Sequence, residues 1–218
     1  MKDKKIDKQD FNKKAHWEQV YLDKTSTEVS WYQKHPQHSL DLIKATSVDV
    51  SERIIDVGGG ASRLVDCLLG AGYENISVLD ISRVAIEQAK LRLGNRKNKV
   101  VWIEHDITDQ VGIDVMSDKP FDVWHDRAVF HFLTEERDRL NYVRTMSSAL
   151  KPGAHIIIAT FDLNGPKKCS GLDVMRYSPK TMAAVLGNNF QFVEAIEEVH
   201  ITPGEARQSF IYCRFIRV

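Results

Sequence analysis

Arg53-Ile54-Ile55-Asp56-Val57-Gly58-Gly59-Gly60-Ala61-Ser62-Arg63 is the stretch whose reading decides the fold. A short apolar run that stops at a cluster of glycines reads as a buried strand entering a tight turn. Leu64 to Leu69 then reads as a helix, ended by Gly70-Ala71-Gly72. Asn75 to Leu79 is the next strand, and Ser82 is placed to cap a helix from Arg83 to Leu93. Val100 to Glu104 and Phe121 to Trp124 read as the third and fourth strands. Leu140, Val143, Met146 and Leu150 mark one face of a helix that Lys151-Pro152-Gly153 should end. Ala154 to Phe161 follows as a fifth strand.

Buried strands alternating with helices imply right-handed βαβ units and a parallel sheet covered on both faces. The end of the chain breaks the pattern. After a helix started by Ser178-Pro179, Phe190 to Ile201 and Gln208 to Val218 read as two strands. Thr202-Pro203-Gly204-Glu205-Ala206-Arg207 is too short for a helical crossover, so these strands must pair antiparallel. The expectation is an α/β fold: a Rossmann-like, doubly wound, mostly parallel seven-stranded sheet with a C-terminal antiparallel hairpin. Residues 1–50 divide off as a polar tail (1–10) and a helical, aromatic segment. Residues 51–218 form the main domain.

The turn implies a ligand. Glycines at a strand-to-helix junction let the backbone approach a bound molecule closely. A dinucleotide fingerprint wants a third glycine where this chain has Arg63. Asp56, two residues before Gly58, also fits poorly beside a pyrophosphate, yet suits a ligand carrying a sulfonium and an ammonium. Asp80 closes the second strand, where an acid accepts ribose hydroxyls. Ile81 can lie against an adenine face, Asp106 can accept from the adenine amino group, and Ile107 can pack on its ring. Asp126 and Arg127 follow the fourth strand beside the switch point of the sheet. Asp80 fits an NAD-type nucleoside equally well, so an NAD-dependent oxidoreductase and a non-catalytic nucleoside binder stay open on these residues alone.

Ile54 to Ser62 resembles motif I of the class I S-adenosylmethionine-dependent methyltransferases. Val78-Leu79-Asp80-Ile81-Ser82, Glu104-His105-Asp106-Ile107 and Phe121 to Arg127 are similar to the family's second, third and fourth motifs. Leu150-Lys151-Pro152-Gly153-Ala154 is similar to its turn before strand five. The resemblance implies S-adenosyl-L-methionine as cofactor, held by Asp56, Gly58, Gly59, Gly60, Asp80, Ile81, Asp106, Ile107, Asp126 and Arg127. Asp126 to Leu133 resembles a bacterial subgroup of general methyltransferases. Trp17, Tyr21, Trp31 and Tyr32 resemble the N-terminal aromatics of protein-lysine methyltransferases that modify elongation factor 1A or citrate synthase. Tyr21 and Trp31 are accordingly candidates for a lid over the cofactor.

The acceptor is harder to read. In-line methyl transfer mainly requires alignment and desolvation of the nucleophile. His131, with Asp126 and His125 nearby, is a candidate base. Arg176, in the long loop from Asp162 to Tyr177, is a candidate anion holder. His200, Thr202, Pro203 and Gln208 at the hairpin turn are candidates for the same mouth. The expected acceptor is a small molecule, with a protein lysine as the alternative. Among the 218 residues, 30 basic side chains balance 30 acidic ones, which weighs against a nucleic-acid partner. There is no membrane-length apolar run and no signal-peptide pattern, and the cysteines Cys67, Cys169 and Cys213 have no CxxC spacing. Those features predict a cytoplasmic protein without a metal site.

Overall fold

The computed structural model describes residues 11–109 and 119–218. The polar tail of residues 1–10 lies outside that range. The described chain begins with α1 (Lys13–Asp23) and α2 (Gln37–Ala45). Then come β1 (Arg53–Val57), α3 (Leu64–Gly70), β2 (Asn75–Asp80), α4 (Arg83–Leu93) and β3 (Val100–Glu104). After β4 (Phe121–Arg127), α5 (Glu136–Ala149) runs directly into β5 (Leu150–Phe161). A small hairpin, β6 (Lys168–Cys169) and β7 (Leu172–Asp173), precedes α6 (Pro179–Leu186), β8 (Phe190–Ile201) and β9 (Arg207–Arg217).

The main sheet has the order β3-β2-β1-β4-β5-β9-β8. Its first five strands are parallel, while β9 runs antiparallel to both β5 and β8. This is the mixed seven-stranded sheet that the alternation and the short last turn predict. Strand parity divides the core into two layers. Ile55, Val57, Trp124, Ile156 and Ile158 face α5 and α6, with Tyr142, Met146 and Met182. Ile54, Val78, Val123, Ile157 and Phe161 face the other side, with Leu42 and Ile43 of α2 and Leu64, Val65 and Leu68 of α3.

Local chemistry sets several boundaries. The Ser82 hydroxyl accepts from the Ala85 amide at the start of α4. Ser178 and Thr181 form a capping box on α6, with Pro179 in its first turn. Elsewhere the pattern misleads. Leu140 is 49% exposed, and the buried face of α5 carries Asp138, Tyr142, Thr145, Met146 and Ala149 instead. Two buried polar groups on that face hid it from a count of apolar residues. Lys151-Pro152-Gly153 does not form a separate turn but lies within β5. The register slips there, pairing Phe121 with Leu150 and Val123 with His155, and Gly153 supplies a φ of 80°. Phe11, just before α1, and Leu22, within it, are exposed, and Tyr21 is the buried residue of the helix. Polar contacts, described next, hold that helix.

Candidate active site

The glycine turn joins β1 to α3. Gly58 and Gly60 adopt φ of 66° and 24°, the left-handed region that suits glycine. The amides of Gly58 and Gly59 both donate to the Leu79 carbonyl, at 2.7 and 3.2 Å, fixing the turn against the end of β2. A Cβ on residue 59 would stand 2.5 Å from Asp56 Oδ2, and one on residue 60 would collide with Asp80 Oδ2. The glycines therefore clear the space in front of two carboxylates.

Asp56 is buried, and its Oδ1 lies 2.7 Å from His125 Nδ1. His125 Nε2 lies 2.8 Å from Ser39 Oγ on α2. The other oxygen, Asp56 Oδ2, is buried with no partner, and so is Arg63 Nε. Asp56 and Arg63 line one cavity together with Tyr21, Trp31, Gly58 and Arg127. A free acceptor and a free donor thus share one hollow. An unpaired buried polar atom costs stability, so the pair marks a place built for a partner.

Asp80 lies beside Gly60, its Oδ1 accepting from the Ser82 amide at 2.8 Å. Burial pushes its carboxyl up to about 7; the Ser82 amide opposes the rise, and the charges of Asp56 and Glu18 add to it. Glu18 comes from α1. Its carboxylate accepts from the amides of Arg83 and Val84 at 2.9 and 3.1 Å and from the Ser82 hydroxyl at 3.3 Å. An acid on the first turn of α4 satisfies free amides and suits the helix dipole. Farther along, Ile81 and Asp106 line a second hollow with Phe11, Lys13, Lys14 and His105.

The chain between α1 and α2 crosses the cleft as a strap. The Ser30 carbonyl accepts from His200 Nε2 at 2.8 Å, and the Trp31 carbonyl accepts from Arg127 Nη1 at 2.9 Å. Gln33 Nε2 donates to Glu198 at 2.7 Å. Arg127 also donates to the Tyr212 hydroxyl at 2.7 Å and lies over the Phe210 ring at 4.5 Å. The strap is therefore pinned to the β8–β9 hairpin. At the other end Lys13 pairs with Asp138 at 2.6 Å, and Lys14 pairs with Glu104. Trp17 packs edge-on against Trp31 and Phe132, with ring centres 5.9 and 4.8 Å apart.

A family profile described as a methyltransferase domain matches residues 55–156, from the middle of β1 into β5. That match spans a little under half of the chain and covers the glycine turn, the ends of β2 and β3, and β4. Among curated proteins, a mouse (Mus musculus) "eEF1A lysine and N-terminal methyltransferase" is 29% identical over 99 residues, which are 45% of this chain. The chain spans 14% of that relative's length. Among solved structures, a SAM-dependent methyltransferase from Anabaena variabilis superposes with a TM-score of 0.77 at 14% identity, covering 96% of each chain. The N-methyltransferase NodS from Bradyrhizobium japonicum, solved with S-adenosyl-L-homocysteine, gives a TM-score of 0.67 at 17% identity, covering 92% of this chain and 97% of NodS. The methyltransferase-domain match favours a methyltransferase over the oxidoreductase alternative.

The structure brings Asp56, Gly58, Gly59, Arg127, Tyr21 and Trp31 to one cavity, and Ile81 and Asp106 to a second hollow. Gly60 and Asp80 touch between them. Four expected site residues lie elsewhere. Ile107 is buried in the core layer with Leu79, Ile103 and Tyr142, because it turns toward α5. Asp126 also faces that layer. Its oxygens accept from the Val129 and Phe130 amides and the Tyr142 hydroxyl, and burial raises it to about 6. His131 is fully buried between Phe161 and Phe132, and burial, then the Arg127 charge, lowers it to about 3. It is neutral at ordinary pH and unsuited to act as the expected base. Arg176 donates to the carbonyls of Leu163 and Gly165, which folds its own loop. Among the hairpin candidates His200 holds the strap, while the Thr202 hydroxyl accepts from the Ala206 amide at 3.0 Å within the turn.

Ser39, Glu18, Glu198 and Tyr212 were not legible as site residues. No spacing connects them to the glycine turn. The alternation along β4 did carry one signal: His125 and Arg127 share the face of Val123, opposite Trp124 and Asp126. Among the described residues no helix is long and apolar enough to cross a membrane, and the three cysteines are free.

Proposed function

We propose that this chain binds S-adenosyl-L-methionine across the ends of β1, β2 and β3 and moves its methyl group to a small-molecule acceptor. Residues 51–218 form the donor-binding domain in this reading, and the described residues 11–50 roof it. One observation carries the proposal: Asp56 Oδ2 and Arg63 Nε stand unpartnered in one cavity. An acceptor and a cationic donor fit the ammonium and carboxylate of an amino-acid tail. Asp80 is placed to accept from the ribose hydroxyls, with Gly60 clearing its second oxygen. Ile81 and Asp106 are placed for the adenine. When bound, the donor supplies an activated methyl on sulfur with a good leaving group.

The protein's own part is orientation and exclusion of water. Tyr21 and Trp31 wall the cavity, and the strap is held shut by Arg127, His200 and Glu198. Asp56 Oδ2 is taken up by the donor's ammonium in this reading, and His125, the histidine among the described lining residues, is tied to Asp56 and Ser39. That supports an acceptor arriving with a free lone pair, such as an amine that sheds its proton to solvent before docking. A pinned strap supports a small acceptor over a chain threaded from a folded protein. Asp56 and Asp80 face the donor seat, and Glu198 is engaged by Gln33, Tyr212 and Arg127, which leaves them unavailable to an incoming lysine. The protein-lysine reading rests on the named activity of the mouse relative.

Incubation with donor labelled in the methyl group tests the reading. Label passing from a small-molecule extract into low-mass product supports it. Label appearing only in protein would favour the lysine reading, and no transfer to either would overturn both.

A further inference from the structure

Ser39, His125 and Asp56 come from α2, β4 and β1 and meet in one buried line. All three are at most 2% exposed. Beside an ionised Asp56, the imidazole proton belongs on Nδ1 and is donated to Oδ1, while Nε2 accepts from the Ser39 hydroxyl. The carboxylate is thereby clamped through one oxygen, and the other, Oδ2, stays free in the cavity. Gly59 leaves no side chain in front of that free oxygen. The arrangement is asymmetric in a useful way. A carboxylate held through both oxygens has little left to offer, and one held through neither rotates.

We propose that His125, braced by Ser39, is a positioning residue that turns Asp56 Oδ2 toward the ammonium group of the methyl donor. The inference rests on the donor reading above. His125 acts through Asp56, so its contribution belongs to the amino-acid end of the ligand and not to the nucleoside. Ser39 begins on the helix that follows the strap, and the line therefore ties the roof of the cavity to the residue that selects the ligand's tail.

Two ligands separate these contributions. S-adenosyl-L-homocysteine carries the ammonium, whereas 5′-methylthioadenosine has the same nucleoside and sulfur but no amino-acid tail. Binding of each is measured by calorimetry and ligand-observed NMR for the full chain, His125→Phe, His125→Asn and Ser39→Ala. His125→Phe fills the volume without a donor and should weaken S-adenosyl-L-homocysteine about tenfold or more, the scale of a lost charge-assisted hydrogen bond. Its affinity for 5′-methylthioadenosine should stay within about twofold. His125→Asn, which keeps an N–H donor, should recover most of the loss, and Ser39→Ala should lose about threefold. Unchanged S-adenosyl-L-homocysteine affinity in His125→Phe, or equal losses for both ligands, would overturn the positioning role. Failure of the unaltered chain to bind S-adenosyl-L-homocysteine would instead overturn the donor reading on which it rests.

Discussion

Asp80 is where residue chemistry is most exposed to test. Burial pushes its carboxyl up to about 7 in the folded protein, against the ordinary 3.8 of an exposed aspartate in the unfolded chain. The folded state therefore binds the extra proton between those values, and stability falls as pH rises from about 4 to about 7. Asp126, raised to about 6, adds the same sign over a narrower window. Asp80→Asn removes the larger cost, so at pH 8 it should melt a few degrees above the parent, and at pH 4 the two should converge. In the proposed donor site the ribose hydroxyls donate more strongly to an ionised Asp80 than to its neutral carboxyl. Donor affinity should thus rise about tenfold between pH 6 and pH 8, with the increase absent in Asp80→Asn. His131 carries the opposite expectation. It is neutral throughout this range, so His131→Phe should leave the shape of the pH–rate profile unchanged while costing about 1 kcal/mol from the lost Phe161 amide contact. A shifted limb in that profile would restore His131 as the base. The acids at the strand ends were legible in the sequence because Asp at those positions repeats from β1 to β4. Their orientation was not. Asp126 and His125 are neighbours in the chain, and only strand parity sends one to the cavity and the other into the core.

Among the elements, α1 is held by charge and capping more than by an apolar stripe. Glu18 covers the first turn of α4, and Gln88 of that helix donates back to the Tyr21 carbonyl at 2.8 Å. Glu18→Ala should cost about 1 kcal/mol, read from denaturant melts, and should raise hydrogen exchange across residues 13–23. The strap answers to Arg127 in the same way. Arg127→Lys keeps a charge but loses the fork that holds Trp31 and Tyr212 together. Faster exchange at residues 26–34 should accompany slower methyl transfer; unchanged exchange would detach Arg127 from the roof. These contacts explain what a pattern of apolar residues cannot convey. Phe11 and Leu22 are exposed, because a helix lying on charged strand ends is held by its Lys13, Lys14 and Glu18. The β5 bulge taught a similar lesson, since Lys-Pro-Gly serves a turn or a kinked strand equally well.

At the scale of the whole molecule, the sheet order reverses between β1 and β4, and the cavity sits at that switch point. Parallel strands bring Asp56, Asp80 and Asp106 to one edge in chain order, and the antiparallel β8–β9 hairpin anchors the strap that crosses the cleft. Fold and donor chemistry were therefore readable from strand ends, whereas the roof is assembled from residues separated by up to 170 positions, such as Ser30 and His200. The central claim is that this edge holds the methyl donor by an amino-acid tail at Asp56 and Arg63. Calorimetric titration with S-adenosyl-L-homocysteine tests it most directly, using the unaltered chain and Asp56→Asn at pH 8. The account predicts saturable binding at one site per chain, weakened about tenfold or more by Asp56→Asn. No heat and no thermal shift with the unaltered chain, or equal affinity in the two proteins, would contradict it.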